Sequence, residues 1–372
     1  MAGGQAGILT NSRIRDRGVL DLAMSRVTLE TLPDYARYLI AAAEGASASY
    51  PVTRKIRLPR LELTGHLGPG VLADALGHAF VETRGDQPES SRCRIFIAHP
   101  GIHGIPEPAR WGDAHFTEHG FAKRLAEAGL RGHHFHDLDF WQFYDPQRRV
   151  GVQLMGSADA FPPWEPGAPL RAFLHWEYAA RGMRLAHAGT LGANGKGVLL
   201  AGAGGAGKSG TVAAGLLNGL DSVGDDYVLI DLANGVTARP LFSTLKQDPQ
   251  GFARLGLKRR VPANAPLNWQ GKHAFHIGDI APRPVPAMLD IVALMVPHIS
   301  GGGASSIMPV SRRDAMIALA PSGIAQMPGE RESGFRFFSD LTRLLPCYRL
   351  SLGTQPQEIA GTIAEFLARG AS

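Results

Sequence analysis

Cysteine is scarce: only Cys93 and Cys347 occur in 372 residues, in different halves and at no metal-ligand or redox spacing. That argues against a disulfide framework, a zinc ribbon or a thioredoxin-like site, and fits a reducing compartment. Long apolar runs are missing too. The opening MAGGQAGILTNSRIRDRG lacks the apolar core of a signal peptide, and its glycines read as a flexible terminus. The most apolar later run, MLDIVALMVPHI, is short and carries Asp290. No membrane span is expected, and the location predicted is cytoplasmic. There is no internal repeat, no low-complexity tract and no G-x-S-x-G elbow, so Ser-His-Asp hydrolysis is not indicated.

What is present describes a globular chain with many turns: 44% hydrophobic and 19% charged residues, with 46 Gly and 26 Pro. The net charge of +5 suits a phosphate-bearing ligand or an acidic partner. Its cations are interspersed with acids, so nucleic-acid binding is not expected. The length allows two cores. The proline-rich stretch DAFPPWEPGAP, from Pro162 to Pro169, is the best boundary, giving an N-terminal α/β domain over 1–165 and a C-terminal α/β domain over 166–372.

In the first part, DLAMSRVTLETLPDYARYLIAAAEG reads as short helices separated at Pro33. RKIRLPRLELTGHL alternates as a strand, VLADALGHAFVET has helical spacing, and CRIFIAH reads as a buried strand. Beyond the boundary, LRAFLHWEYAARG is helical, GVLLAG a short apolar strand, TVAAGLLNGL a helix ended by glycine, and DYVLIDL and DIVALMVP are strands. SRRDAMIALA and FRFFSDLTRLL read as helices and CYRLSLG as a strand. T-Q-P-Q suggests a capping box opening a final helix.

One segment carries the chemistry. Gly202, Gly207, Lys208 and Ser209 fit G-x-x-x-x-G-K-[ST], with a strand before and a helix after. In that setting the backbone N–H groups of Gly202, Gly204, Gly205, Ala206, Gly207, Lys208, Ser209 and Gly210 are the candidates to surround phosphate oxygens. Lys208 would contact the β- and γ-phosphates of ATP, and Ser209 would hold Mg²⁺. Seventeen positions beyond Lys208 stands the pair Asp225-Asp226. A helix of about ten residues spans roughly 15 Å, so the chain has room to return and set these carboxylates beside the phosphates. One carboxylate can accept a hydroxyl proton while the other helps hold the metal.

With His187 in RLAHAGTLGANGKGVLLAG, these features resemble the catalytic domain of the HPr kinase/phosphorylase family, and more closely the HPr-kinase-like proteins of peptide-modification gene clusters. The resemblance covers Leu170 to Asp231 best. It implies a phosphoenolpyruvate-carboxykinase-like P-loop fold and transfer of the γ-phosphoryl group of ATP to a serine-type hydroxyl of a peptide or small protein. It further implies Asp225 as general base, Asp226 as a magnesium-side carboxylate and His187 as the group tuning the aspartate, with the two aspartate roles open to exchange. Lys246 in STLK is similar to a lysine of the peptide-cluster kinases, and Arg239 joins it as a cation able to neutralise transferring charge. Gly210 stands where that family carries an acid, and the family's later glycine-rich signature is replaced by ARPLFSTLKQDPQGFARLGLKRR. HPr itself and reverse phosphorolysis are therefore not expected.

Other clusters have plainer readings. Lys258, Arg259 and Arg260 read as a solvated face with docking of an acidic peptide as the alternative. His133, His134, His136, Asp137 and Asp139 read as a polar strand end rather than a metal site, and His99, His103, His115 and His119 show no ligand spacing. The leading expectation is a Mg²⁺- and ATP-dependent serine or peptide kinase. A small-molecule kinase on the same fold and a nucleotide-sensing accessory protein are the alternatives, and self-association into a homo-oligomer is left open.

Overall fold

The computed structural model describes residues 26–81, 91–113, 117–261, 265, 267–323 and 331–370. The AGGQAG glycines, His115 and the start of the expected N-terminal helices lie outside them. The architecture is mixed α/β, in two units. The main break falls between Phe161 and Pro162, and the second unit also takes in residues 54–65, 69–81 and 91–93.

In chain order the strands of the first half are β1 (Arg26–Val27), β2 (Val52–Leu58), β3 (Leu61–Leu67), β4 (Ser91–Ala98), β5 (Arg110–Trp111), β6 (Arg131–Phe135), β7 (Phe140–Asp145) and β8 (Val150–Leu154). The helices among them are α1 (Leu32–Gly45), α2 (Val71–His78) and α3 (Glu118–Glu127). In the first unit β4 pairs with β8 in parallel, and β8, β7 and β6 follow as antiparallel neighbours. α1 turns Leu32, Tyr35, Ala36, Leu39, Ile40 and Ala43 inward at helical spacing, and these share a core with Phe96, Val152 and Leu154. Pro33 does not separate two helices here: it occupies the first turn of one, where its missing N–H costs nothing. The segment expected as a single strand is likewise two, β2 and β3, reversing at Pro59-Arg60 with Arg60 at φ 56°.

That reversal is held within the second unit: the Tyr178 hydroxyl donates to the Pro59 carbonyl at 2.9 Å and Arg181 to the Arg60 carbonyl at 2.7 Å. The rest of this unit comprises α4 (Arg171–Ala179), β9 (Arg184–Ala186), β10 (Gly189–Ala193), β11 (Lys196–Leu200), α5 (Lys208–Leu217), β12 (Val228–Asp231), β13 (Thr237–Arg239), β14 (Thr244–Gln247) and α6 (Pro249–Arg254). It continues with β15 (His273–His276), α7 (Ile277–Ile280), β16 (Leu289–Ile299), β17 (Ser306–Pro309), α8 (Arg312–Gly323), α9 (Arg331–Leu344), β18 (Cys347–Leu352) and α10 (Pro356–Arg369).

β16 organises the main sheet. It runs parallel to β11 on one side, and its C-terminal half runs parallel to β18 on the other. β13, β12 and β9 extend the sheet antiparallel past the N-terminal end of β16. Successive side chains of a strand face opposite ways, the alternation of β16 slips by one between Ile291 and Ala293 where the register with β11 shifts, and both faces here are apolar. Val198 and Leu200 of β11, with Ala293 and Met295 of β16, pack with Val212 and Leu216 of α5 and Ile359 and Ile363 of α10. Leu199 of β11, with Leu289, Ile291 and Leu294 of β16, enters the opposite core with Leu319 of α8 and Phe338 and Leu341 of α9. The central strands are thus sandwiched, and the loop leaving β11 emerges at their C-terminal ends, where open α/β sheets present their crevices. The last helix opens at Pro356 after Gln355, with no side-chain cap, so the expected capping box does not form.

Candidate functional site

The loop between β11 and α5 is shaped by its glycines. Gly207 stands at φ 100°, and a Cβ there would come within 2.5 Å of Leu352 Cδ1, so both conformation and packing require glycine. α5 begins at the next residue, which sets the loop's N–H groups and the helix N-terminus around one space. At Gly204 and Gly205 an added Cβ would meet nothing within 4 Å, so side chains there would fill the cradle rather than strike protein. Lys208 is buried and donates to the carbonyls of Gly202 at 2.6 Å and Ala203 at 3.3 Å. Burial lowers its proton affinity, Asp225 and Asp226 pull it back up, and Lys272 lowers it further.

After α5 the chain turns at Gly219 and returns without regular structure. On the way back Gly192 and Asp221 exchange backbone hydrogen bonds at 2.8 Å, tying the returning segment to β10. Asp225 and Asp226 then meet the loop, lining the same cavity of about 330 Å³ as residues 204–211. Asp226 has φ 73°, and the Tyr227 N–H reaches across it to the Asp225 carbonyl at 2.9 Å. This is a γ-turn of the strained hand, and strain at a cavity wall is held in place by its surroundings.

Those surroundings differ for the two carboxylates. Asp226 is clamped: His187 Nε2 donates to Oδ1 at 2.8 Å and Lys246 Nζ to Oδ2 at 2.5 Å. Burial opposes its ionisation, but the His187 hydrogen bond and the Lys246 charge outweigh burial and hold the carboxyl well below the usual range. Asp225 is 1% exposed. Burial and the charge of Asp226 raise its proton affinity, against a hydrogen bond from Ser209 and the charge of Lys208. Its Oδ1 is buried without a hydrogen-bond partner, as is His187 Nδ1. A buried carboxylate oxygen beside a serine hydroxyl is a donor set suited to a hard divalent cation. The residues present therefore fit Mg²⁺.

The Tyr227 ring lies 5.3 Å from that of His187, and Arg171 both donates to the Tyr227 hydroxyl at 2.5 Å and lies over its ring. Burial pushes the Tyr227 phenol up to about 12, with Arg171 opposing. This packing fixes the histidine ring and leaves Nε2 aimed at Asp226.

Of the residues singled out from sequence, Gly204 through Gly210, His187, Asp225, Asp226 and Lys246 line the cavity. Gly202 contributes through its carbonyl to Lys208. Arg239 does not line it, being buried on β13. His134 is a core histidine stacked on Trp141 at 3.5 Å, and no metal-holding group of three or more His, Cys, Asp or Glu occurs among the described residues. Gln247, Asp248, Arg254, Gln270 and Lys272 also line the cavity, and no sequence motif marks them. Arg254 hangs over the start of α5: its Nη2 is 3.7 Å from where a Gly210 Cβ would stand. The signal that could have found it is compositional, since residues 249–278 hold five Lys or Arg and no Asp or Glu.

No known family model matches the chain, and no curated protein matches it.

Proposed function

We propose that the second unit is a P-loop phosphotransferase domain of the phosphoenolpyruvate-carboxykinase-like kind, moving the γ-phosphoryl group of ATP to a serine-type hydroxyl in the manner of the HPr-kinase-like enzymes. The observation that carries this reading is the convergence of the Gly204–Ser209 loop, Asp225 and the clamped Asp226 on one cavity. The loop N–H groups and the N-terminus of α5 would bind the β- and γ-phosphate oxygens, and Lys208, released from its loop carbonyls, would join them. Ser209 and Asp225 would hold Mg²⁺, which when bound neutralises charge on the phosphate oxygens.

Asp226 then faces the acceptor. Its side chain is more exposed than that of Asp225, and both its oxygens are fixed by His187 and Lys246. As the acceptor oxygen bonds to phosphorus and the bond from phosphorus to the ADP oxygen breaks, the hydroxyl proton passes to Asp226. A loose transition state releases that proton late, so a well-oriented carboxylate serves even when its proton affinity is low. This exchanges the aspartate roles implied by the resemblance. The raised proton affinity of Asp225 favours the original order, with Asp225 as base.

The test is intact-mass analysis of serine peptides incubated with protein and Mg-ATP. A mass gain of one phosphate is expected. Nucleotide bound with nothing modified would instead favour the sensor reading, and unchanged ATP affinity in Lys208→Ala would remove the loop from the mechanism. Asp225→Asn is expected to raise the Mg²⁺ concentration needed for half-maximal rate, whereas Asp226→Asn is expected to lower the rate at saturating Mg²⁺. The reverse pattern would restore Asp225 as base.

A further inference from the structure

Arg254, Leu255, Gln270 and Lys272 of the acid-free stretch 249–278 line one side of the cavity. The stretch's apolar residues are spent on the core: Phe252, Leu255, Leu257, Val261 and Phe275 are all buried, and the Phe252 ring packs on His273 at 4.2 Å. Its cations are thereby turned outward on a fixed support. Lys258, Arg259 and Arg260 are exposed on the turn after α6, while Arg254 and Lys272 reach the cavity wall. None of these five is in an ion pair among the described residues, whereas Lys246, Arg181 and Arg283 of the same unit each hold a carboxylate.

The acids at the two ends of the stretch are already engaged. Asp248 Oδ1 accepts from the Gly251 N–H at 2.8 Å, and Asp279 Oδ2 accepts from the His276 N–H at 2.8 Å. Another cationic run of this unit, Arg54, Lys55 and Arg57 on β2, contributes nothing to the cavity. A rim on which five cations outnumber the one carboxylate, Asp248, and which reaches the cavity at Arg254 and Lys272, attracts an anionic partner and holds it in register with the chemistry. Arg254 and Lys272 lie close enough to the loop to serve phosphate, but Lys258–Arg260 lie outside the cavity lining and call for further negative charge. Leu267 and Trp269, 57% and 54% exposed, lie on the same stretch, and Trp269 packs edge-on against Trp164 at 6.0 Å. Such surface suits a polypeptide carrying apolar as well as acidic side chains, and not a bare phosphate chain.

We propose that Lys258, Arg259 and Arg260, with Trp269, form a docking rim for an acidic peptide segment adjoining the phosphorylated hydroxyl. The kinase reading enters only in making that peptide the acceptor.

The test uses the full chain and fluorescein-labelled peptides in which one serine is flanked by glutamates, glutamines or lysines, read by anisotropy. The glutamate peptide is expected to bind roughly ten-fold tighter than the glutamine peptide, as three exposed charge contacts would give, with the margin closing as salt rises. The combined variant K258Q/R259Q/R260Q is expected to lose that margin while ATP affinity stays unchanged. The combined reversal K258E/R259E/R260E is expected to prefer the lysine peptide, a gain that a misfolded variant could not show. Equal binding of the three peptides, an unaltered preference in the variants, or single-stranded DNA binding the rim more tightly than the glutamate peptide would each overturn the proposal. Phosphate transfer is scored separately. A glutamate peptide that binds but gains no phosphate counts against the kinase reading alone, and glutamate and glutamine peptides phosphorylated with the same KM count against the rim alone.

Discussion

The two sides of the cavity handle charge in opposite ways. On one side the charges are buried and held in place: Lys246 and His187 grip the two oxygens of Asp226, and Lys208 is folded onto its own loop. On the other, five cations stand on a rigid apolar base with no carboxylate partner among the described residues. Paired, buried charge holds geometry to fractions of an ångström, which is what a transfer step needs. Unpaired surface charge acts over several ångströms and tolerates imprecise placement, which is what recognition needs. The difference assigns chemistry to one side and selection to the other.

Asp226 is where this division is most open to disproof. Asp226→Asn is expected to lower kcat by about 10²–10⁴-fold with little change in acceptor KM, as loss of a positioned proton acceptor does. A KM effect alone would move Asp226 to the recognition side. Lys208→Ala should come next, costing about 10²–10³-fold in kcat/KM for ATP, since one preorganised charge on the phosphates is lost. The rim is expected to respond less and differently. K258Q/R259Q/R260Q should raise acceptor KM about ten-fold at low salt, leave kcat in place and lose its effect at high salt.

The smallest effect tests a titratable group that belongs to neither side. His175, on α4, is buried, and burial with the charges of Arg184 and Arg171 lowers its pKa to about 3. The unfolded chain binds the proton near pH 6.5 and the folded one only near 3, so stability is full above about pH 6.5 and declines as pH falls from there. By pH 5 the loss is about 2 kcal/mol. Denaturant titrations of the wild type and His175→Leu between pH 7 and 5 should show a shallower pH slope in the variant, with ATP affinity at pH 7 unchanged. Parallel slopes would refute the assignment.

The paired side is largely legible in the sequence and the unpaired side is not. G-x-x-x-x-G-K-S between an apolar strand and a helix is a local pattern, and the residues from Lys208 to Asp226 are close enough in sequence for chain length to bring them together. The elements on the way, β11, α5 and β12, follow from apolar spacing alone. His187 and Lys246 come only through resemblance, because the pairing of β9 with β12 that brings His187 near, and the separate β14–β15 ribbon that carries Lys246, are long-range arrangements that no local pattern encodes. Arg239 misleads for the same reason: a cation near Lys246 in sequence lies buried on a different strand. Pro33 shows the limit of proline as punctuation, since it opens a helix, whereas Pro59, passed over in the alternating pattern, does mark the turn of a hairpin. The rim is hard to read because its signal is the absence of acids over a whole stretch, and its meaning comes only when Arg254 and Lys272 are seen on the cavity wall.

Phosphoryl transfer at the clamped carboxylate can be put to a single trial: a paired intact-mass time course with Mg-ATP and the glutamate-flanked serine peptide, comparing the wild type with Asp226→Asn. Addition of one phosphate to the serine by the wild type is expected, with a rate at least about 10²-fold lower for the variant. Transfer by both at the same rate, or transfer by neither from bound ATP, would show that Asp226 is not the group on which the chemistry turns.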